Sequence, residues 1–442
     1  MIQDTIFALS TIFGKSGVAV IRVSGTSSKQ LLAHFKIKKD VQKRIATLVT
    51  LLDEENYPID KILLLYFCAP YSFTGEDVIE LHTHGSTAVI NTILYELSKI
   101  FRIAEPGEFS RRAFYNNKLD LTQAEGLSDL IDAETKMQAR QAMRQMSGEL
   151  HNLYHNWRQQ LITVMAEMEA YIDFPDEDIP VDTSSRVQCK VNVIIDAMND
   201  HLQDQRRGER LRDGFHVSVI GPPNVGKSTL FNYFAKQDIA IVSDISGTTR
   251  DVLEVKIDLD GYPVIFSDTA GIRDSLDPIE IEGIIRAKKC AKQSDMTIVL
   301  LAIDQLHYDV SSDIQNLINK NALFIASKAD HLPEDVEVVI SDKKLLPISV
   351  HKNLGLSKLM KRIKTVLKSQ LASSEVPVIT RERHRQAITL AQEHLKRYTD
   401  QDNLVLAMED LRMAAQSIGQ ITGDIKVDDI LDQLFGTFCI GK

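Results

Sequence analysis

The run Gly221-Pro-Pro-Asn-Val-Gly-Lys-Ser228 constrains this chain more than any other segment. It fits the pattern GxxxxGK[ST], follows the apolar run FHVSVI and opens the helix-forming run STLFNYFA. A strand, a glycine-rich turn and a helix in that order let backbone amides curl around phosphate oxygens. Lys227 can then reach the β- and γ-phosphates, and the Ser228 hydroxyl can help hold Mg2+. The helix N-terminus adds partial positive charge. Such a loop needs a sheet to carry it. His216–Ile220, Val252–Leu259, Tyr262–Ser267, Met296–Ile303, Ala322–Ser327 and Leu346–Ile348 read as strands alternating with helices. Residues 213–375 are therefore expected to form a three-layer α/β domain with a largely parallel sheet.

The chain has 442 residues, which suggests roughly three domains. Residues 1–118 read as mixed α/β, with strands at Val18–Val23, Lys61–Phe67 and Val78–His84. Residues 119–212 read as helical, through Ala124–Ala133, Gln138–Leu161 and Val187–Gln205. Leu150, Leu153, Tyr154, Trp157, Leu161, Met165 and Met168 form an amphipathic stripe. The prolines of FPDEDIP (Phe174–Pro180) must break the helix. Residues 376–442 return to helices, at Arg381–Ser417 and from Val427 to Phe435. The two helical stretches are expected to pack together, with the α/β domain inserted between them.

Composition excludes several classes. Hydrophobic residues at 44% and charged residues at 25% are ordinary for a globular chain, which rules out disorder and collagen-like structure. The apolar run Met296–Ile303 falls far short of the ~18 residues that a membrane span needs. The N-terminus carries Asp4 and lacks a basic region before a long apolar run, so it does not read as a signal peptide. Cys68, Cys189, Cys290 and Cys439 are scattered without a CxxC pair, which suggests neither disulfides nor a zinc cluster. A cytoplasmic location is expected. The net charge of −10 argues against a dedicated basic nucleic-acid binder; any RNA grip must be local or shared with a partner.

Three further motifs follow the phosphate loop in the order a GTPase needs. Gly247-Thr-Thr-Arg-Asp251 offers Thr249 to close on Mg2+ and the γ-phosphate. Asp268-Thr-Ala-Gly271 follows YPVIFS, so Asp268 can hold the Mg2+ shell and the Gly271 amide can meet the γ-phosphate. Ser327-Lys-Ala-Asp330 follows ALFIA, where Asp330 could accept hydrogen bonds from guanine N1 and N2. The candidate nucleotide contacts are Asn224, Val225, Gly226, Lys227, Ser228 and Thr229; Ser243, Asp244, Ile245, Ser246, Gly247, Thr248 and Thr249; Asp268, Thr269, Ala270 and Gly271; Ser327, Lys328, Ala329 and Asp330; and Ser349, Val350 and His351. The domain resembles the translation-factor-like GTPases, with two departures. Ser327 stands where Asn is usual, and Ser349-Val350-His351 replaces Ser-Ala-Lys. Asp330 still favours GTP over ATP.

Catalysis departs further. Ras-like enzymes orient the attacking water with a Gln just after this DTAG motif, and here that position is Ile272. Asp274, Asp277, Glu280 and Glu282 all follow closely, and composition does not choose among them. Asn224 offers a neutral oxygen beside the phosphates, where a monovalent cation could replace an arginine finger.

End to end, the chain resembles the MnmE (TrmE) family of tRNA-modification GTPases. The resemblance is carried by GVAVIRVSG (17–25), TGEDVIELHTHGS (74–86), PGEFSRRAFYNNKLDLTQAEGLSDLIDA (106–133), FPDEDIP, GPPNVGKSTL, ISGTTRD, DTAGIRD and the terminal Phe438-Cys-Ile-Gly-Lys442. It implies an N-terminal α/β folate-binding and dimerisation domain (1–118), a helical domain in two parts (119–212, 376–442) and an inserted Ras-like GTPase domain (213–375). It implies K+-stimulated hydrolysis, with K+ held by Asn224, Ser243, Ile245 and Thr248, Mg2+ by Ser228 and Thr249, and Glu280 positioning water. It implies a tetrahydrofolate one-carbon donor, in the 5-formyl or 5,10-methylene form, at Arg22, Glu80, Lys118 and Lys442. It makes Cys439 a candidate catalytic residue near that one-carbon site, although a lone Cys is usually a small buried hydrophobe. Glu80 alone could be a plain exposed residue, and His82 and His84 share a face that could be imagined as a two-His metal site.

The function so implied is a GTP hydrolase, homodimeric, acting with the FAD-dependent partner MnmG in a heterotetramer-type complex. Together they would add an aminomethyl or carboxymethylaminomethyl group to C5 of the wobble uridine (U34) of certain tRNAs. Hydrolysis would drive domain motion rather than the modification chemistry. The alternative is a GTP-switched RNA- or ribosome-binding assembly factor, which folate binding discriminates.

Overall fold

A computed structural model describes residues 4–173, 183–236, 254–268, 289, 291–305, 318–319, 321–331, 338–340, 343–371, 376–401, 403–425 and 428–441. The chain divides into two compact units. One is Met1–Ser128 with Gln145–Thr163 and Arg412–Lys442; the other is Asp129–Arg144 with Val164–Leu411.

The first unit holds a six-stranded sheet of β1 (Ile6–Leu9), β2 (Ser16–Ser24), β3 (Thr47–Leu52), β4 (Pro58–Phe67), β5 (Val78–Gly85) and β6 (Arg102–Ile103), ordered β3-β4-β5-β2-β1-β6. All its pairs are antiparallel except β1 with β6. Alternation decides which face is buried. Ile21 and Val23 of β2 and Ile79 and Leu81 of β5 pack with Leu31, Phe35, Ile93 and Leu97 from the helices beneath. The intervening residues, Arg22 on β2 and Glu80 and His82 on β5, are left on the opposite face. The end of the chain docks on the same unit. Phe435 and Phe438 enter a cluster with Phe114, Leu121 and Leu431, and Ile440 bridges Pro106.

The second unit holds a seven-stranded sheet of β7 (Phe215–Ile220), β8 (Glu254–Leu259), β9 (Tyr262–Asp268), β10 (Met296–Ala302), β11 (Leu323–Ser327), β12 (Val338–Ile340) and β13 (Lys343–Pro347), ordered β12-β13-β11-β10-β7-β9-β8. β9, β7, β10, β11 and β13 run parallel, while β8 and β12 are antiparallel additions at the two edges. Every residue of β10 is buried, the continuous apolar strand expected where helices cover both faces. The stacked rings of Phe234 and Phe266, centroids 4.1 Å apart, pin the helix Lys227–Ala235 to the sheet. The helices Thr183–Leu202 and Glu382–Thr399 lie side by side, joined by Gln392 to Asn199 at 2.5 Å and by Arg385 to the Leu202 carbonyl at 2.9 Å.

Two helical runs differ from expectation. The run 138–161 is not one helix but parts of two, Lys136–Met146 and Glu149–Asp173. Gly148 between them takes φ +87°, a left-handed turn that glycine enters without steric cost. The run 381–417 is likewise split into Glu382–Thr399 and Leu404–Thr422. The buried stripe of the long helix is Leu150, Tyr154, Trp157, Leu161, Val164 and Met168. Val164 takes the place expected for Met165, and Leu153 is only half-buried. The break at Phe174–Pro180 lies outside the described residues.

Candidate functional site

Strand order in the second sheet reverses at β7. The chain passes from β7 to β8 and β9 on one side, then to β10 on the other. Crevices outside the carboxyl ends of strands at such a point are where α/β sheets bind ligands. The phosphate-loop motif begins at the end of β7, Asp268 closes β9, Ser327–Asp330 closes β11, and Ser349–His351 follows β13. Four motifs scattered over more than a hundred residues thus share one edge of the sheet.

The loop's two glycines do different work. A Cβ on Gly221 would lie 2.2 Å from the Leu300 carbonyl, so only glycine lets the loop leave β7 against β10. Gly226 takes φ +99° and faces nothing within 4 Å. It starts the helix Lys227–Ala235, whose first amides lack intrahelical partners and open on that space as an anion cradle. Asn224 is also left-handed, at φ +61°, a conformation its short amide tolerates. Lys227 Nζ donates to the carbonyls of Gly221 and Pro222, both at 2.9 Å, and so holds its charge across the loop.

Asp268 pairs in register with Val219 at the foot of the loop and is 4% exposed. A buried carboxylate and the exposed Ser228 hydroxyl form a hard oxygen set of the kind Mg2+ takes, so these residues fit that ion. Of the four candidate K+ ligands, Asn224 is described and exposed. Ser243, Asp244, Ile245, Ser246, Gly247, Thr248, Thr249, Thr269, Ala270, Gly271, Glu280 and Lys442 lie outside the described residues.

Ser327 has a role its sequence position did not disclose. Its hydroxyl is buried, 2.6 Å from the Val225 carbonyl and 3.2 Å from that of Leu301. A hydroxyl has one proton to give, and the shorter contact takes it. The residue therefore ties the end of β11 to the phosphate loop. The two base-side loops are joined as well, since the Ala329 amide donates to the Ile348 carbonyl at 3.0 Å. Ser349 and Leu354 exchange backbone bonds at 3.1 and 3.0 Å, closing the turn that carries Val350 and His351. Lys328 extends to Asp304 at 2.9 Å, and Asp330 stands half-buried beside it.

On the opposite face of the first sheet, Arg22 and Glu80 are direct cross-strand partners. Both Nε and Nη2 of Arg22 reach Glu80 Oε1 at 3.0 Å. The guanidinium lies 5.5 Å from the Phe73 ring centroid and 5.6 Å from that of Phe109. His82 meets Glu80 Oε2 at 3.3 Å, whereas His84 goes to Asp60 at 2.7 Å. The two histidines share a face but serve different carboxylates. Among the described residues no group of three or more His, Cys, Asp or Glu is placed to hold a metal. Lys118 packs its stem on Gly75, where a Cβ would meet Lys118 Cγ at 3.3 Å. The chain end arrives at the same sheet. Ser10 Oγ donates to the Gly441 carbonyl at 3.1 Å, just past Ala8, the partner of Arg22 on β1. Cys439 is exposed, and its carbonyl accepts from the Gly107 amide at 3.4 Å. Phe73 and Phe109 were not foreseen as site residues, and His82 was considered only with His84 as a two-His metal site. The only advance signal was the period-2 placement of His82 beside Glu80.

The second unit's sheet, its glycine loop after β7 and its base-side loops define a P-loop nucleotide-binding domain. The family model for the MnmE helical domain matches residues 121–439, and that for the GTP-binding protein TrmE N-terminus matches residues 5–118. The chain belongs to the MnmE (TrmE) family. The tRNA modification GTPase MnmE of Wolbachia pipientis subsp. Culex pipiens (strain wPip) is 53% identical over 443 residues, covering 100% of this chain and 99% of its own. That of Ehrlichia chaffeensis is 49% identical and that of Rickettsia rickettsii 47%, each over 100% of both chains. Among solved structures, the FeoB G-domain from Methanococcus jannaschii is 21% identical over 35% of this chain and 98% of its own, at a TM-score of 0.26. That likeness is too slight to bear on the assignment.

Proposed function

We propose that this chain is a K+-stimulated GTP hydrolase of tRNA modification. Acting with a FAD-dependent partner, it would install an aminomethyl or carboxymethylaminomethyl group at C5 of the wobble uridine. The observation that carries the reading is the convergence of the phosphate loop, Asp268, Ser327–Asp330 and Ser349–His351 at one edge of the second sheet. Lys227 and the amides after Gly226 bind phosphate, Ser228 and Asp268 offer oxygens to Mg2+, and Asp330 reads the guanine edge. Bound Mg2+ supplies charge neutralisation at the β- and γ-phosphates. K+ at Asn224 would add a positive charge where the transition state needs it, and Glu280 would orient the water.

The first unit is read as the one-carbon site. Arg22 and Glu80 form a half-buried cation–carboxylate pair on the sheet face opposite the main core, flanked by two aromatic rings. A carboxylate can pair with the amide and amine of a pterin, and cations at Arg22, Lys118 and Lys442 suit the carbonyls and carboxylates of a folate. The docked tail supports a place for Lys442 and Cys439 there, since Gly441 sits beside β1. The division into 1–118, 119–212, 213–375 and 376–442, the homodimer and the cytoplasmic location belong to the same reading. No helix among the described residues is long and apolar enough to cross a membrane.

Mass spectrometry of wobble uridines in cells lacking the protein tests the whole. The expected result is loss of the C5 substituent, restored by the wild-type chain but not by Lys227→Ala. Unchanged wobble uridines would overturn the assignment and favour an assembly factor.

A further inference from the structure

Glu76 is a half-buried carboxylate used by neither the nucleotide loop nor the Arg22–Glu80 pair. Its partner Arg112 is only 2% exposed, among the largest side chains withdrawn from solvent. Arg112 Nη1 reaches Glu76 Oε2 at 3.1 Å and Oε1 at 3.3 Å, while its other bonds go to Asp4 at 2.8 Å and Glu108 at 2.9 Å. A buried guanidinium with this many acceptors is a fixed anchor, because withdrawing any one of them would strand charge away from water.

From that anchor a closed ring of hydrogen bonds runs to the sheet. Ser24 Oγ lies 2.8 Å from Glu76 Oε2 and 2.7 Å from Thr74 Oγ1. The Glu76 amide returns to Thr74 Oγ1 at 3.3 Å. Proton positions follow from chemistry. A carboxylate facing a guanidinium only accepts, so Ser24 donates to Glu76; its one proton is then spent, and Thr74 must donate to Ser24. Thr74 in turn accepts the Glu76 amide. Every member of the ring has one satisfied role, and both Ser24 and Thr74 are fully buried.

The ring sits beside the Arg22–Glu80 face. Ser24 is two residues past Arg22 on β2 and therefore points the same way. Thr74 and Glu76 bracket Gly75, at φ +78°, and the loop they hold begins with Phe73, which faces the Arg22 guanidinium. On its other side, Asn116 Nδ2 donates to the Thr74 carbonyl at 2.6 Å, and Gly75 receives the stem of Lys118. We infer that Thr74, Ser24, Glu76 and Arg112 form a positioning device that sets Arg22 and Lys118, from opposite sides of one loop, to receive a reduced folate. The inference rests on the folate reading above. None of the four residues touches the ligand; they act through the 73–76 loop.

The test uses the full-length chain and 5-formyltetrahydrofolate as the probe, with the dissociation constant as the readout. Thr74→Val keeps the shape and removes the donated proton; Thr74→Ser restores it; Glu76→Gln keeps the size and removes the charge. The expected result is binding at least about tenfold weaker for Thr74→Val and Glu76→Gln, and within about twofold of wild type for Thr74→Ser. GTP hydrolysis, at a sheet these residues do not enter, should be unchanged and reports folding. Wild-type affinity in both weakened variants, or equal losses in Thr74→Val and Thr74→Ser, would overturn the inference. A wild-type chain that binds no reduced folate overturns the folate reading itself, and the inference with it.

Discussion

At the scale of single residues, Ser327 shows how a departure from a motif can keep the motif's geometry. The residue that looked like a weakened base contact is a buried tether between β11 and the phosphate loop, 2.6 Å from Val225 O. Removing the hydroxyl leaves a buried carbonyl without that donor, which costs about 1–3 kcal/mol. Ser327→Ala is therefore expected to lower the melting temperature and weaken GTP and GDP alike, with the preference for guanine over adenine retained because Asp330 is untouched. Titration calorimetry with the two bases checks this; a loss confined to base preference would contradict the tether. His201 gives a second prediction. Burial pushes its imidazole down to about 4, with His384 and Arg385 acting in the same direction and Asp204 opposing. It stands in the last turn of the helix Thr183–Leu202, where the helix dipole favours a cation, and burial outweighs that preference. The folded state thus favours the neutral ring. Between about pH 6.5 and pH 4 the unfolded chain binds more protons, so this contribution is complete above pH 6.5 and lost as pH falls toward 4. Its size is roughly 3 kcal/mol. Urea denaturation at pH 7 and pH 5 should show a smaller drop for His201→Gln than for wild type, and equal drops would refute the assignment.

At the scale of elements, close backbone approaches govern what the chain end can do. Gly107 precedes the helix Glu108–Tyr115 at φ +66°, and a Cβ there would lie 2.3 Å from the Phe435 carbonyl. Gly107→Ala combines left-handed strain with a backbone clash, together about 2–4 kcal/mol. Hydrogen exchange should rise across 428–441, the helix Asp428–Gly436 and the tail that carries Cys439. Gly148→Ala is the control: its Cβ meets only Gln123 Nε2 at 3.5 Å, so strain alone acts, at about 1 kcal/mol, and the tail stays protected. Equal exchange in both variants would contradict the docking. These elements also mark what was legible in the sequence. Val78–His84 was readable because its period of two is clean, and the observed strand is Val78–Gly85. β1 and β6, at four and two residues, are too short for periodicity to register. The break at Gly148 was missed because a glycine inside a helical pattern is ordinarily tolerated. The phosphate loop was legible because its motif is contiguous. The tether from Ser327 was not, because its acceptor lies 102 residues away and only the parallel sheet brings the two together.

At the scale of the whole molecule, the question is how a nucleotide site with no Gln after its DTAG motif can turn over. Ile272 cannot orient water, and in related enzymes an arginine finger is worth 10³–10⁵ in rate. On the proposed reading a cation at Asn224 would be a weaker substitute, a point charge without the guanidinium's fork. Hydrolysis should then be at least about tenfold faster in K+ than in Na+ at equal ionic strength, or about 1.4 kcal/mol of barrier. Ion size should decide the effect, because screening alone would treat the two ions alike. Asn224→Ala should abolish the difference while leaving GDP affinity near wild type, since the proposed phosphate contacts are Lys227 and the loop amides. Glu280→Ala should act on another term. It should lose turnover with GTP binding and K+ sensitivity of the residual rate both retained, because orienting water and neutralising charge are separate parts of one barrier. The double variant is the decisive measurement. Additive losses in log rate would mean that the cation and the carboxylate act independently. A double variant no slower than Glu280→Ala alone would mean that the cation works only through the water, and the charge-stabilisation argument would be wrong.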